Sequence, residues 1–445
     1  MLPQRENQYA KGQSLIGILV SLAIFSILSQ AIFTVVSTSL NLVSFNRSRI
    51  TARHLAQEKI ELIRNLPYND VGTVSGIPAG PLLQEENIVR NKLSYTVKTT
   101  IIYIDDFFDN TAPNDLLATD YKRARVEVSW QGLAGSRNNP VVILSDIAPK
   151  GIETTTGGGT LSIVVFDADG DPVPQAGVSI VAPETGVNLN LQTGDNGRVI
   201  LPGAPTCIAC YQITVSKSGF SSERTYSTSE VPNPIKPHQT ILEGQLTEIS
   251  FAIDTLSTLA ISTYKGRENN FETLANASFN FRGQKTIGMD AGGQPIYKYE
   301  EVLTTDASGN LTEALEWDNY QATPSASIYN ISGTNPLQPL TIVPGTSSSF
   351  KLALSAFSTN NLLISFVNSS SNPIASVSAT LTGPAGFDET KLSGATTDPD
   401  FGQVFFSNLL NQDYTLLATA SGYLDYNATI SVLGETLEQV NLTAQ

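Results

Sequence analysis

The segment that decides how this chain is built reads Gly12-Gln13-Ser14-Leu15-Ile16-Gly17-Ile18-Leu19-Val20 and opens a long apolar run. No charged residue occurs from Gln13 to Asn46. The part from Leu15 to Val36 reaches the roughly 20 residues that a helix needs to cross a bilayer. A secretory signal has a shorter apolar core followed by a small-residue cleavage site, whereas here the small residue, Gly12, precedes the run. Cleavage after Gly12 would therefore remove a leader of residues 1–12 and keep the helix.

The helical pattern continues past the apolar run but becomes amphipathic. Apolar residues recur at spacings of three and four, with polar and charged residues between them: Ala52, Leu55, Ala56, Ile60 and Ile63. This spacing places one apolar stripe along a helix that is otherwise polar. Pro67 ends the pattern because proline lacks the backbone N–H of a helix interior. The sequence predicts one helix over residues 13–66, first membrane-spanning and then amphipathic.

The stretch from Lys11 to Leu66 resembles the type IV prepilin amino terminus, and its wording from His54 to Tyr68 resembles PilV-type minor pilins and pseudopilins. The resemblance implies that a prepilin peptidase cuts between Gly12 and Gln13 and methylates the new amino terminus. Two positions depart from the family pattern, since Gln13 stands where Phe is usual and Gly17 stands where Glu is usual. These departures favour a filament tip or a rare minor component. An ordinary signal anchor followed by a juxtamembrane helix is the alternative.

The composition limits the classes of function. The chain has 445 residues and a net charge of −15, from 26 basic and 41 acidic side chains. This excess of negative charge repels phosphate backbones, so we expect no nucleic-acid partner. The length suggests three or four units of about 100–150 residues. Only 15% of the residues are charged, which fits β structure outside the cell better than a cytoplasmic enzyme.

Residues 67–152 are predicted to form a small head on the helix. Three runs have strand character: Leu93–Ile104, Ala124–Trp130 and Val141–Leu144. A helix packed on an antiparallel sheet is also the plan of the pilin head, so the resemblance extends to about Ile152. The acidic loop Asp105–Asn110 could bind a cation, but a solvated loop is the simpler interpretation. The Gly- and Thr-rich residues 153–160 predict a flexible linker.

The remaining chain repeats one pattern three times, over residues 161–255, 256–355 and 356–445. In the first and third copies a tyrosine stands nine residues before another aromatic residue, as Tyr211 and Phe220 and as Tyr414 and Tyr423. Tyr320 marks the weaker middle copy. Short alternating runs separated by Gly, Asn, Asp and Pro are typical of antiparallel sandwiches. We expect the three tyrosines to anchor the edge of each core.

These copies resemble the carboxypeptidase-regulatory-like, prealbumin-like and bacterial Ig-like β-sandwich family, most strongly over residues 160–253 and 361–445. The resemblance implies stalks, spacers or modules that contact a glycan or a protein at a cell surface. The family motifs are structural turns, and the catalytic part of a carboxypeptidase is lacking. They therefore predict fold far better than ligand.

Other motifs that could carry chemistry are weak. Asp167–Asp171 has the acidic spacing of a calcium loop, but Pro172 and Val178 stand where such a loop needs Gly and Glu, so a turn is favoured. Cys207 and Cys210 lack the second ligand pair of a zinc site. A local disulfide outside the cell, or a pair of free thiols, remains. Neither His54 nor His238 lies near a nucleophile motif. We expect no metal, no cofactor and no enzymatic activity.

The sequence thus predicts an α+β and then all-β chain: a long pilin helix with a small antiparallel head, followed by three Ig-like or prealbumin-like β-sandwich domains. The predicted function is a minor type IV pilin or pseudopilin that waits in the membrane and then joins a cell-surface filament. Its partners would be other pilin subunits, the pilus assembly machinery and a surface glycan or protein. The alternatives are a membrane-anchored adhesin or binding protein that never polymerises, and an enzyme with an unrecognised acidic site.

Overall fold

A computed structural model describes residues 15–106, 119–131, 140–149, 158–324 and 328–445. The chain forms two compact units. One consists almost entirely of the residues up to Thr156, and the other of the residues from Gly157 onwards. The coarse prediction of a long amino-terminal helix followed by β sheets is confirmed.

The first unit consists of helix α1 and one four-stranded antiparallel sheet. The helix spans Leu15–Arg64, and a short 3-10 helix follows at Tyr68–Asp70. The strands are β1 (Glu85–Arg90), β2 (Leu93–Ile104), β3 (Tyr121–Trp130) and β4 (Val141–Ile147), and they pair in this order. The three strands expected from the sequence are present, while the more polar β1 was not predicted. Together the helix and the meander form the predicted head.

In the second unit the strands form three consecutive sets, which we call the first, second and third β segments. The first β segment contains β5 (Gly159–Phe166), β6 (Gly177–Ala182), β7 (Val187–Gln192), β8 (Arg198–Ala204), β9 (Cys207–Ser216), β10 (Glu223–Arg224), β11 (Asn233–Pro234), β12 (Gln239–Ile241) and β13 (Leu246–Ala252). Its two main sheets have the orders β13-β5-β8 and β10-β9-β6-β7, and β12 pairs with β9. Strand β5 begins two residues before the predicted start at 161.

The second β segment contains β14 (Ser257–Lys265), β15 (Ser278–Gly283), β16 (Thr286–Met289), β17 (Pro295–Tyr297), β18 (Glu300–Thr304), β19 (Asn310–Leu315), β20 (Asp318–Pro324), β21 (Tyr329–Asn335), β22 (Leu340–Ile342) and β23 (Ser347–Ala356). Its two main sheets have the orders β19-β14-β23-β21 and β18-β15-β20-β22. Phe279 and Phe281 from one sheet share a core with Phe350 and Leu352 from the other, so the segment is a sandwich.

The third β segment contains β24 (Asn361–Val367), β25 (Ser378–Gly383), β26 (Phe387–Leu392), β27 (Gln403–Phe406), β28 (Gln412–Thr419), β29 (Tyr426–Val432) and β30 (Glu435–Asn441). Its sheets have the orders β27-β24-β30 and β26-β25-β28-β29. Both contribute to one buried core, for example through Phe366 and Leu416. The division of the chain from 161 onwards into three separate domains stays a prediction, because all three segments, apart from Leu201–Gly203, belong to one compact unit.

Each β segment contains a parallel pair of main strands, although antiparallel sandwiches were predicted. The first and last main strands of each segment pair in parallel, as β5 with β13, β14 with β23 and β24 with β30. Parallel neighbours need a long crossover connection. Here the strands of the opposite sheet provide that connection, so a locally alternating sequence pattern does not reveal the parallel pairing.

The predicted tyrosine anchors are confirmed. Tyr211, Tyr320 and Tyr414 are each at most 2% exposed. The Tyr211 hydroxyl donates to the carbonyl of Pro205 over 2.7 Å, and the Tyr320 hydroxyl donates to that of Glu316 over 3.0 Å. The Tyr414 hydroxyl accepts from the backbone N–H of Leu410 over 2.9 Å. In every β segment the ring therefore fills the core while its oxygen holds the chain that leads into the strand.

A small third sheet links the first and second β segments. Strand β11 pairs with β16, which pairs with β17. The backbone N–H of Ile235, directly after β11, donates to the carbonyl of Ile287 over 2.9 Å. This main-chain pairing fixes the two segments against each other along one side of their junction.

Candidate functional site

The amino-terminal half of α1 is a long surface of exposed apolar side chains. Between Leu19 and Val43 every large apolar side chain is between 49% and 73% exposed. Among the described residues, one helix is long and apolar enough to span a membrane; the span lies within Leu19–Arg64, has a mean hydropathy of 2.2 and is not buried. A helix of 50 residues is about 75 Å long. It is therefore long enough to cross a bilayer and still extend well beyond it.

Three hydroxyl groups within this apolar half donate to backbone carbonyls of the same helix. Ser26 donates to the carbonyl of Leu22 over 2.9 Å, and Thr34 donates to that of Gln30 over 2.8 Å. Thr38 bonds in the same way to Thr34. In lipid every polar group has to find its partner internally. These bonds lower the cost of placing the hydroxyls of Ser26, Thr34 and Thr38 in hydrocarbon.

The carboxy-terminal half of α1 packs on the four-stranded sheet. The stripe predicted from the sequence is buried, with Ala52, Ala56 and Ile63 fully inaccessible. The ring of Phe45 lies 6.1 Å from that of Trp130 on β3, and the Tyr95 hydroxyl donates to the carbonyl of Ser48 over 3.4 Å. The same helix thus has an apolar half that stays exposed among the described residues and a second half that packs on a folded head.

The first charged residues beyond the apolar half are three exposed arginines, Arg47, Arg49 and Arg53. Within the described residues they form no ion pair, while charges further along the helix do. Lys59 is paired with Glu86, and Glu58 lies 3.9 Å from Arg90, so both pairs join α1 to β1. Unpaired arginines at the end of an apolar span are placed to meet the polar headgroup region of a bilayer.

Lys122 on β3 is a buried cation of the head that was not predicted. Its Nζ donates to the carbonyls of Tyr68 over 2.7 Å and of Val71 over 2.8 Å. It lies 4.5 Å from the ring centroid of Tyr68 and 5.4 Å from that of Tyr103. Burial lowers the pKa of Lys122 to about 8, against the opposing charge of Asp70. The sequence signal for this site was the position of Lys122, which falls on the buried side of the alternating strand β3.

The predicted processing site, Gly12 and Gln13, lies outside the described residues. Cys207 and Cys210 form a disulfide with their Cα atoms 6.0 Å apart. They lie within β9 rather than in a loop before Tyr211, because β12 pairs with this part of the strand. The Glu184 carboxylate lies 3.3 Å from Sγ of Cys207. With both sulfurs in the disulfide, this group offers no thiolate to a metal.

The Asp167–Asp171 segment forms a turn. Oδ1 of Asp167 accepts the backbone N–H groups of Asp169 over 3.0 Å and of Asp171 over 2.9 Å. The uncharged Asn368 makes the same two bonds at the corresponding place in the third β segment, both over 3.0 Å. Turn geometry therefore accounts for the acid at 167. The other acidic loop, Asp105–Asn110, lies largely outside the described residues, which include only Asp105 and Asp106.

His54 and His238 lie on different elements. His54 is exposed on α1. His238 has its Nδ1 3.0 Å from Oγ1 of Thr225, and burial lowers its pKa. The contacts of His238 are those of a packed side chain in the first β segment.

Residues 160–253 match the family model of the carboxypeptidase regulatory-like domain. This confirms the resemblance predicted for the first β segment, and it covers about a fifth of the chain. No curated protein matches the chain.

Three solved structures are similar to parts of the chain. The Bacillus anthracis TIE protein has 12% identity and a TM-score of 0.19, over 81% of this chain and 73% of that chain. The streptococcal ancillary pilin has 12% identity and a TM-score of 0.18, over 65% of this chain and 99% of that chain. BcpA, the major pilin subunit of Bacillus cereus, has 11% identity and a TM-score of 0.17, over 65% and 100%. At TM-scores below 0.2 these likenesses carry no argument about this chain.

Proposed function

We propose that this chain is a minor subunit of a type IV pilus or pseudopilus that displays β-sandwich modules at the cell surface. The observation that supports this function most strongly is the difference between the two halves of α1. Its first half is apolar and exposed on all sides, and its second half packs on an antiparallel sheet. Such a helix suits two successive environments, first lipid and then the helices of neighbouring subunits.

Burial of the apolar half would drive assembly. Each large apolar side chain gains about 1.5–3 kcal/mol on leaving water, so fourteen such residues from Leu19 to Val43 amount to tens of kcal/mol. In a bilayer this gain is already present. Extraction into a filament is therefore an exchange of lipid contacts for helix contacts, in which close packing decides the balance.

In this proposal the peptidase removes residues 1–12 and methylates Gln13, and the assembly machinery then transfers the helix from the membrane to the filament. In the assembled filament, the β segments of the second unit contact a surface glycan or protein. The proposed function is structural and adhesive, and it is not enzymatic. The chain would be membrane-anchored before assembly and part of an extracellular filament afterwards.

Mass determination of the mature amino terminus in the native host tests the first step. We expect a chain that begins at Gln13 and carries one added methyl group. A Gly12→Val variant should keep its leader and remain in the membrane fraction. An intact leader on the native protein would instead indicate a membrane-anchored adhesin that never polymerises.

Cysteine crosslinking tests the second step, because the two native cysteines are already joined to each other. Phe33→Cys lies in the exposed apolar half, with its native side chain 73% exposed. In purified filaments it should crosslink to a neighbouring helix. Ala56→Cys, at a buried position of the same helix, is the matched control and should not. Processed protein that is absent from filaments would contradict assembly.

A further inference from the structure

A cavity of about 190 Å³ lies at the junction of the first and second β segments, and none of the functions described above uses it. It is smaller than the roughly 300–1,000 Å³ typical of drug-sized ligands. Its walls include Arg224 and Lys236 from the first β segment and Lys285, Lys298 and Trp317 from the second. Four cations thus surround one small cavity in a chain whose net charge is −15.

The walls are held in place by the backbone. Ile235 and Ile287 both line the cavity, and the N–H of the first donates to the carbonyl of the second over 2.9 Å. The side chain of Asn233 donates to the carbonyl of Asp290 over 3.2 Å, which extends the same connection. The site is therefore formed before any ligand arrives, which reduces the entropy lost on binding.

The two cations from the first β segment are already paired. Nη1 of Arg224 donates to Oε2 of Glu230 over 3.0 Å, and its guanidinium lies 4.2 Å from the ring centroid of Tyr226. Nζ of Lys236 lies 3.2 Å from Oε1 of Glu223. Each of these cations has one carboxylate of its own.

The two lysines from the second β segment share a single carboxylate. Nζ of Lys298 donates to Oε2 of Glu316 over 2.6 Å, while Nζ of Lys285 lies 3.5 Å from Oε1. The nearby Asp318 uses its oxygens for the backbone N–H groups of Lys285, over 2.9 Å, and of Asn319, over 2.7 Å. Burial lowers the pKa of Lys285, the carboxylates of Glu316 and Asp318 act in the opposite direction, and the charge of Lys298 adds to the lowering. The ion pair of Lys285 is the longest of the four around the cavity.

Lys285 also connects the charge to an aromatic wall, since its Nζ lies 3.2 Å from the ring centroid of Trp317. Ile235 and Ile287 add further apolar surface. Glu316 and Asp318 already balance much of the charge of Lys285 and Lys298, so the site suits at most one further negative charge. A phosphate monoester carries about −1.5 to −2 at neutral pH and would exceed that. The apolar walls formed by Trp317, Ile235 and Ile287 suit a compact ring.

We propose that this cavity binds a small monocarboxylate that carries a ring, with its carboxylate at Lys285 and its ring against Trp317, Ile235 and Ile287. A sugar acid and an aromatic acid share this chemistry. The site does not depend on filament assembly, so it can be tested on detergent-solubilised full-length protein whether or not the chain polymerises.

The test uses Trp317 as its reporter. The chain has two tryptophans, so Trp130→Phe leaves Trp317 as the only one. D-glucuronate and benzoate are titrated against D-glucose, benzyl alcohol and inorganic phosphate. We expect saturable changes in Trp317 fluorescence with at least one carboxylate and none with its neutral analogue. Tighter binding of D-glucuronate would indicate a sugar acid as the ligand, and tighter binding of benzoate would indicate an aromatic acid.

Lys285→Gln should weaken binding about tenfold or more, because it removes a charge-assisted hydrogen bond. Lys285→Arg should retain most of the affinity. Lys265→Gln is the matched control. Lys265 does not line the cavity, and its Nζ lies 2.8 Å from Oε2 of Glu272. This variant should bind the ligand as the parent protein does. Calorimetric titration of the chain with both tryptophans replaces the fluorescence measurement if Trp130→Phe does not fold.

The proposal is wrong if neither carboxylate binds, if the neutral analogues bind equally well, or if phosphate binds more tightly than both acids. It is also wrong if Lys285→Gln retains the parent affinity in a folded protein.

Discussion

Arg267 donates from Nε to Oδ2 of Asp400 over 2.7 Å and thereby joins the second β segment to the third. The same guanidinium reaches Oδ2 of Asp398 over 3.1 Å. The Asp400 side chain is 6% exposed, and burial raises its pKa although Arg267 acts in the opposite direction. The carboxylate therefore depends on Arg267 for its compensation.

Arg267→Ala should destabilise the full-length protein by about 3 kcal/mol, because it leaves a buried carboxylate without its partner. A folded-state pKa above that of the unfolded chain means that stability falls as pH rises through it. Without Arg267 this pKa should rise further. The cost of the substitution should therefore shrink on acidification to about pH 4. Chemical denaturation at several pH values measures this effect.

Asp400→Asn provides the control for that pair. The double variant Arg267→Ala with Asp400→Asn should be more stable than the sum of the two single costs predicts, since the uncompensated charge is gone. Additive costs in this cycle would show that the two residues do not interact as the structure indicates.

Leu55→Ala should destabilise the head by about 2–4 kcal/mol through the lost contact between α1 and the sheet. Leu55 is 4% exposed, whereas Leu62 on the same helix is 48% exposed. Leu62→Ala is therefore the matched control and should change stability by no more than about 0.5 kcal/mol. Trp130 fluorescence during denaturation, in a Trp317→Phe background, reports on the head alone. Equal costs for the two variants would contradict the docking of this helix face.

The sequence predicted those features that depend on local periodicity. Val126, Val128 and Trp130 alternate with polar residues, and all three are buried where that alternation places them. Tyr211 and Tyr414 were identified by spacing alone, because each is followed nine residues later by an aromatic residue. In such cases neighbours along the chain determine the structure, so a pattern is enough.

The features that were missed depend on distant partners. Arg267 and Asp400 are 133 positions apart, and no local pattern connects them. The cavity at Lys285 combines short strands that carry no alternation. Strand β1 was missed because Glu85 and Glu86 make it polar, although Lys59 on the helix compensates Glu86. A single sequence does not reveal which side chains meet across such separations.

Tyr320→Phe should destabilise the second β segment by about 1 kcal/mol. The ring would still stack on Phe281, whose centroid lies 5.2 Å away, but the carbonyl of Glu316 would lose its donor. Tyr297→Phe is the control, because this half-buried tyrosine packs on Arg282 through its ring. Denaturation followed by Trp317 fluorescence compares the two. An equal loss in both variants would mean that the buried hydroxyl contributes nothing.

Lys122 should make the head more stable in mild alkali. Its pKa is lowered from 10.5 to about 8 by burial, so the folded head binds this proton more weakly than the unfolded chain does. Stability then rises as pH increases from about 8 to about 10.5, where the unfolded lysine also loses its proton. The neutral amine still has hydrogens to donate to the carbonyls of Tyr68 and Val71.

Lys122→Met removes both the titration and the two hydrogen bonds. We expect it to be less stable than the parent by about 1–3 kcal/mol. The difference should widen across the same pH interval, since only the parent gains stability there. Lys98→Met, on the solvent-facing side of β2, is the control and should follow the parent at every pH. Trp130 fluorescence during denaturation measures all three proteins. A difference between parent and Lys122→Met that stays constant with pH would mean that the buried ammonium is not what limits the stability of the head at neutral pH.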